Sequence, residues 1–282
     1  MRAAFAFTVL AIASAALAEP VKKPPVPPGV DPGGVLIAII GEGVDYTKTE
    51  IAARLARDGE GEIIGWDFID NDRRPYADGS WVPNDGPLAA GLFLEQSSNS
   101  KLAVFRTPVD DPASLVRAIA MAGQTRAAIV VMAAADTTTS SLLATISGKL
   151  KDQLIVVAAS ASSNFEASAL ANMLIVAPCM PAKETCVRSQ KLSDAVEILA
   201  PFEFYSSEHV SGVPVNNLTA WPIDTAARIA ALAARMLAVE PGLTGAELKS
   251  RIVALAKPSS EGEPKPSHYG IIENPAAHFT GK

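Results

Sequence analysis

Short apolar runs alternate along the chain with segments in which apolar residues have helical spacing, and this alternation determines the expected fold class. Residues 35–40 are continuously apolar and rich in β-branched side chains, which is typical of a strand buried on both faces of a parallel sheet. Residues 48–57 follow and place Ile51 and Leu55 at helical spacing. The same pattern predicts strands at 62–69, 102–107, 127–133, 154–159, 173–177 and 195–200, and helices at 112–124, 140–151, 222–239 and 244–256. Strands separated by helices predict βαβ units, and therefore an α/β fold with three layers and a doubly wound, mostly parallel sheet.

Both ends of the chain have a distinct composition. Residues 1–18 combine Arg2, an apolar run and small residues before Glu19, which predicts a secretory signal peptide and export to the periplasm or the extracellular space. The run is shorter than the roughly 20 residues of a membrane span, although an uncleaved anchor is the alternative. Residues 19–34 are proline-rich and predict a stiff tether. Residues 35–282 then form one domain, and its tail, 258–282, is polar and irregular.

Charge and cysteine content narrow the possible partners. A formal net charge of −6 argues against a nucleic-acid surface and against binding to acidic lipid. Cys179 and Cys186 are expected to form a disulfide bond in an oxidising compartment, with two free thiols as the alternative. A metal site would need a neighbouring His or Cys, which is lacking, so neither a metal nor another cofactor is predicted.

Several motifs resemble landmarks of the subtilase family, the subtilisin-like serine peptidases, and they occur in the family's order. The most specific one is GWDFIDNDRRPY at 65–76, which is similar to the segment before the family's catalytic His. The others are VLIAIIGEGVD at 35–45, GPLAAG at 86–91, NLTAWP at 217–222 and YGIIENPAA at 269–277. The resemblance implies a subtilisin-like fold from residue 35 to about residue 279.

The same alignment removes the catalytic triad. The family's Asp falls on Gly41, its His on Asp85 and its Ser on Leu218, and the Asn that donates to the oxyanion falls near Ala161. A serine peptidase needs a nucleophile, a base and a carboxylate that orients the base. The resemblance therefore implies a pseudopeptidase that is catalytically inactive.

One alternative keeps a catalytic role for neighbouring residues. Glu42, Asp85 and Thr219 could form a non-standard site, because some relatives of the family use carboxylates where subtilisin uses His. The simpler interpretation is that Glu42 and Asp85 are solvated loop acids and Thr219 caps a helix. The histidines lie outside the base position and have no motif around them: His209, His268 and His278.

Three further functions remain open from the sequence. Residues 132–135 correspond to the family's substrate-binding strand, so an inactive domain could still bind an extended peptide or a protein by strand addition. The turn Gly41-x-Gly43-x-x-Tyr46, with Asp67 after the next strand, resembles a dinucleotide fingerprint without its third glycine. The last possibility is a filled cleft in which Leu218 and Trp221 either belong to the core or line an apolar pocket.

Overall fold

The fold is seen in a computed structural model. It describes residues 23–77, 85–108, 111–133, 145–146, 148–159, 170–182, 185–188, 195–201, 222–258 and 270–280, with the backbone alone at 85–88, 94, 133, 180–182, 185–188 and 222. The predicted signal peptide, residues 1–18, lies outside the described residues.

Within the described residues, nine strands form one sheet. They are β1 Val35–Gly41, β2 Gly65–Asp67, β3 Ser100–Arg106, β4 Ile129–Ala133, β5 Leu154–Ala158, β6 Met173–Ala182, β7 Thr185–Arg188, β8 Ile198–Pro201 and β9 Gly270–Ile271. Their order across the sheet is β2-β3-β1-β4-β5-β6-β8-β9, and β7 pairs with β6. The β6–β7 pair is antiparallel and the other strand pairs are parallel. The predicted α/β class with a mostly parallel sheet is confirmed.

Helices cover both faces of this sheet. They are α1 Thr49–Ala52, α2 Asp85–Gln96, α3 Pro112–Ala122, α4 Pro222–Val239 and α5 Gly245–Leu255, and a 3-10 turn follows at Pro275–Ala277. The start of α5 carries the predicted capping box, in which Thr244 and Glu247 satisfy each other's backbone N–H groups. Residues 145–146 and 148–149 of the predicted helix 140–151 are also helical.

Two hydrophobic clusters lie on opposite faces of the sheet. Because side chains alternate along a strand, β1 contributes Ile37 and Ile39 to one cluster and Ala38 and Ile40 to the other. The first cluster includes residues of α2, α4 and α5, and the second includes residues of α3. This arrangement confirms the three layers.

Two predicted elements are shorter than their sequence patterns suggest. Of the strand predicted at 62–69, only Gly65–Asp67 is extended, because the Asp67 carboxylate accepts the backbone N–H groups of Ile69 and Asp70 and turns the chain. Of the helix predicted at 48–57, only Thr49–Ala52 is helical. Its second half instead bridges to β3, through Leu55 opposite Leu102.

The two ends of the described chain are attached to the domain. Residues 23–34, called the strap below, contain no helix or strand, but Lys23 and Asp31 form ion pairs with domain residues. The strap, which is the described part of the predicted tether, therefore lies against the domain, and residues 19–22 lie outside the described residues. The predicted irregular tail contributes β9 to the sheet. None of the described helices combines the length and the apolar character that a membrane span requires.

Candidate functional site

The carboxyl ends of β1 to β4 form the candidate site. β1 is flanked by β3 and β4, and the chain runs outward from β1 in both directions. In open α/β sheets, ligands bind outside the carboxyl ends of the strands at such a switch point. The strand ends that meet there are Gly41, Asp67, Arg106 and Ala133.

Gly41 is the last residue of β1 and lies opposite Arg106 of β3. Glu42 follows it, half-exposed, and its carbonyl accepts a 3.1 Å hydrogen bond from Arg106 Nε. The position that resembles the catalytic Asp of subtilases thus has no side chain, and an arginine donates to the backbone beside it.

The Gly-x-Gly turn has a structural role. Gly43 adopts φ +98, and a Cβ there would lie 2.8 Å from the Pro75 carbonyl oxygen. The Val44 N–H donates to that same carbonyl at 3.0 Å. Because this donor is already used, it is not available to a phosphate, which weakens the comparison with a dinucleotide-binding turn.

A cluster of ion pairs at the end of β2 is absent from the sequence-based predictions. Asp67 is fully buried and receives Lys23 Nζ at 2.5 Å and Arg106 Nη1 at 2.9 Å. Lys23 Nζ also lies 2.8 Å from Asp70 Oδ2 and 3.2 Å from Asp72 Oδ1. Two cations are therefore shared by three carboxylates, which stabilises charges that burial would otherwise disfavour.

The pKa values in this cluster follow from its contacts. Burial acts to lower the pKa of Lys23, but hydrogen bonds to Asp67, Asp70 and Asp72 outweigh it and raise that pKa above its ordinary value. Burial acts to raise the pKa of Asp72, but hydrogen bonds from the Arg74 N–H and from Lys23 bring it below its ordinary value. Both groups are thus held in their charged forms.

The predicted catalytic candidates are only partly within the described residues. Asp85 is the first residue of α2, but its side chain is outside the description. Thr219, Leu218 and Ala161 lie outside the described residues. The non-standard site of Glu42, Asp85 and Thr219 therefore stays a prediction.

The remaining singled-out residues have identifiable surroundings. Met132 and Ala133 end β4, where Ile129–Ala133 pairs with β5 and residues 129–132 pair with β1. Residues 134–135, His209, His268 and Trp221 are outside the described part of the chain. His278 follows the 3-10 turn, and its backbone carbonyl accepts a hydrogen bond from Arg235 Nε at 3.0 Å.

The predicted cysteine pair lies in the β6–β7 hairpin. Cys179 is fully buried in β6. In the antiparallel register Cys179 lies opposite Arg188, and Pro181 lies opposite Cys186, so the two cysteines lie on adjacent strands, two register positions apart. The disulfide bond itself stays a prediction.

A buried ion pair at the start of α4 was also missed. Asp224 and Arg228 are each 3% exposed, and Arg228 Nε donates to Asp224 Oδ1 at 2.8 Å. The pair begins two residues after the segment that resembles the family's nucleophile motif. An acid and a base four residues apart at a helix start was the available sequence signal, but spacing alone does not indicate burial.

Among the described residues, no group of three or more His, Cys, Asp or Glu side chains could hold a metal ion.

Comparisons with known proteins support the fold. No protein-family model matches the chain, and no curated protein sequence matches it. Solved structures do match, and one is a cold-adapted subtilisin-like serine proteinase at 16% identity and TM-score 0.57, covering 83% of this chain and 87% of the proteinase.

Two structures of MycP1 are similar as well. MycP1 from Mycobacterium smegmatis matches at 18% identity and TM-score 0.56, over 89% of this chain and 80% of MycP1. MycP1 with its N-terminal propeptide removed matches at 20% identity and TM-score 0.59, over 89% of this chain and 92% of MycP1. At these identities the similarity shows a common fold.

Proposed function

We propose that this chain, which has the subtilisin-like fold, is an exported pseudopeptidase of the subtilase family that binds a peptide or protein partner and does not cleave it. The observation that carries the proposal is Gly41 at the end of β1, opposite Arg106. A triad needs a carboxylate that orients and stabilises its base, and a glycine supplies none.

The neighbouring carboxylates have other partners. Asp45 accepts hydrogen bonds from the Thr47 N–H at 3.1 Å and from Thr47 Oγ1 at 2.5 Å. Asp67 is held by Lys23 and Arg106. A carboxylate whose oxygens already accept these hydrogen bonds is not placed to orient an imidazole base. The local chemistry therefore favours binding over catalysis.

The partner is proposed to be an extended peptide that adds to the sheet beyond β4. Along residues 129–132 β4 already has a neighbour on each side, β1 and β5. Strand addition there requires a free main-chain edge, and the pairing of β4 with β1 ends at Met132, so the peptide is proposed to add where β4 ends. Specificity would come from the side chains at the carboxyl ends of the strands.

The decisive experiment is hydrolysis of a peptide library and of casein by the chain from Glu19 onward. The matched control is a variant in which Glu42, Asp85 and Thr219 are all changed to Ala, and an active subtilisin serves as the positive control. We expect no turnover from either form of the chain. Turnover in the parent that disappears in the variant would instead establish the non-standard hydrolase.

Peptide binding and export need separate tests. Library peptides should be enriched over scrambled peptides of the same composition, and equal retention of both sets would contradict the binding proposal. Export is tested by sequencing the N terminus of the protein recovered outside the cytoplasm. We expect Glu19 as its first residue, whereas recovery of the protein only in the cytoplasm with Met1 retained would contradict export.

A further inference from the structure

The first six residues of the strap, 23–28, contact the domain with a three-residue periodicity. Residues 23–24 and 26–27 are half-buried, whereas Pro25 and Pro28 are exposed. A polyproline II helix has three residues per turn, so this pattern is the one expected when such a helix places one side against a surface. Val26 packs against the hydrophobic cluster that also contains Ile37.

Two prolyl carbonyls of the strap are recognised by side chains of the domain. The Tyr46 hydroxyl donates to the Pro24 carbonyl at 3.0 Å, and Arg57 Nη2 donates to the Pro27 carbonyl at 2.7 Å. Tyr46 is fully buried and its ring tilts against Tyr76, with 5.1 Å between the ring centroids. Burial raises the pKa of Tyr46 to about 12, so its hydroxyl stays protonated and remains a donor.

The recognised carbonyls are spaced as in a Pro-x-x-Pro sequence. Aromatic surfaces that bind polyproline helices use this spacing, because it repeats once per turn of the helix. Polyproline segments suit such recognition, since the peptide is already extended and loses little conformational entropy on binding. The domain thus presents donors where a polyproline ligand needs them.

Charges fix both ends of the strap. At its start, Lys23 Nζ is held by Asp67, Asp70 and Asp72, and it also donates to the Arg74 carbonyl at 2.9 Å. At its far end, the strap presents a negative charge to a domain lysine, Lys101, whose Nζ lies 2.7 Å from Asp31 Oδ1. Opposite charges at the two ends define the direction in which a peptide can lie.

Between these two ends, the strap passes so close to the Arg57 side chain at Gly29 that a small residue is favoured there. A Cβ at Gly29 would lie 3.0 Å from Arg57 Nε, so a larger residue there would press on the guanidinium. Arg57 is 6% exposed, and its Nε has no hydrogen-bond partner. The arginine is therefore buried beneath the strap: one terminal nitrogen donates to the Pro27 carbonyl of the strap, and the other donates to the Gly61 carbonyl of the domain, which fixes the guanidinium.

We propose that these residues form a peptide-binding groove for lysine-led polyproline segments, and that residues 23–31 are its cis ligand. The ligand pattern is Lys-Pro-x-x-Pro-x-Gly-x-Asp. The groove is lined by Tyr46, Arg57, Asp67, Asp72 and Lys101, none of which belongs to the segment at the end of β4 assigned to the partner above. A tethered ligand has an effective concentration in the millimolar range, which keeps the groove filled by the chain's own segment.

The test cuts the backbone between the strap and the domain after the protein has folded. A specific protease site is inserted between Pro32 and Gly33, where a Cβ at Gly33 meets no atom within 4 Å, and the chain from Glu19 onward is cleaved after folding. A fluorescent peptide of residues 19–32 is then titrated and followed by anisotropy, with circular dichroism reporting the fold. We expect the cleaved strap to remain associated and to exchange with the labelled peptide in a saturable way.

Two altered peptides make the result specific. The Lys23→Ala peptide is expected to bind about tenfold more weakly or worse, because it loses charge-assisted hydrogen bonds. The Val30→Ser peptide should bind like the parent, since Val30 is 84% exposed. Equal affinities of these two peptides, absence of saturable binding to a folded domain, or unfolding of the domain on cleavage would each overturn the proposal.

Discussion

Replacing Asp67 with Asn should destabilise the protein by about 3 kcal/mol. The substitution keeps the side-chain shape but removes the charge that faces Lys23 Nζ at 2.5 Å and Arg106 Nη1 at 2.9 Å. Each charge-assisted hydrogen bond contributes about 1.5–3 kcal/mol, and breaking a buried pair on one side costs about 3–5 kcal/mol. The lower end applies because Lys23 and Arg106 also contact Asp70.

This loss is measured by urea and thermal unfolding of the chain from Glu19 onward, followed by circular dichroism. For a domain of this size, about 3 kcal/mol corresponds to a Tm lower by roughly 6–12 °C. The matched control is Glu273→Gln, which removes one carboxylate from the exposed pair with Lys257 at 2.9 Å. Exposed pairs contribute about 0–1 kcal/mol, so the control should unfold nearly as the parent does.

The reasoning would be refuted if Asp67→Asn cost no more than Glu273→Gln. A double-mutant cycle with Lys23→Met separates the pairwise contribution from other effects of each substitution. We expect the double variant to lose less than the sum of the two single losses. Strict additivity would show that Lys23 and Asp67 do not stabilise each other.

Three further predictions concern other parts of the molecule. In the folded protein the pKa of Asp72 is lowered and that of Lys23 is raised, so the stability that they contribute is present between about pH 4 and pH 10. It is lost in acid as Asp72 is protonated and in alkali as Lys23 is deprotonated. Urea unfolding across pH should therefore show a steeper loss of stability in acid for the parent than for Asp72→Asn, and parallel curves would contradict this. Arg235→Met should lower the free energy of unfolding in urea by about 2–4 kcal/mol, because Arg235 donates to three backbone carbonyls, including that of Gln96 at 2.6 Å. An unchanged unfolding midpoint would contradict this contribution. If Cys179 and Cys186 are bonded, the non-reduced chain should be lighter than the reduced chain by two hydrogens and more stable by about 2–3 kcal/mol, and identical masses would exclude the bond.

The sheet and several helices could be predicted from the sequence because local patterns determine them. β1 follows a continuous apolar run rich in β-branched side chains, and Pro222–Val239 is a helix over the predicted residues. The start of α5 follows from Thr244 and Glu247, which cap it in the predicted way. In each of these elements, the residues that carry the signal are close together in the sequence.

The ion-pair cluster and the docked strap could not be predicted, because their contacts join distant residues. Lys23 and Asp67 are 44 residues apart, and Pro27 and Arg57 are 30 apart. Composition predicts that a proline-rich segment is extended, but it does not predict the surface on which the segment lies. The only local hints of this contact were Lys23, which precedes the prolines, and three aspartates at the end of β2 and just beyond it, Asp67, Asp70 and Asp72.

The strand order also has a consequence for how the chain can fold. β1 lies between β3 and β4, so it gains its first strand partner only after residue 100 has emerged and its second only after residue 129. β9, at residues 270–271, pairs with β8 near the end of the chain. Such non-local pairing slows folding. A chain that emerges N terminus first, from a ribosome or through a translocation channel, will therefore expose the apolar β1 until β3 has emerged, and this interval is open to aggregation.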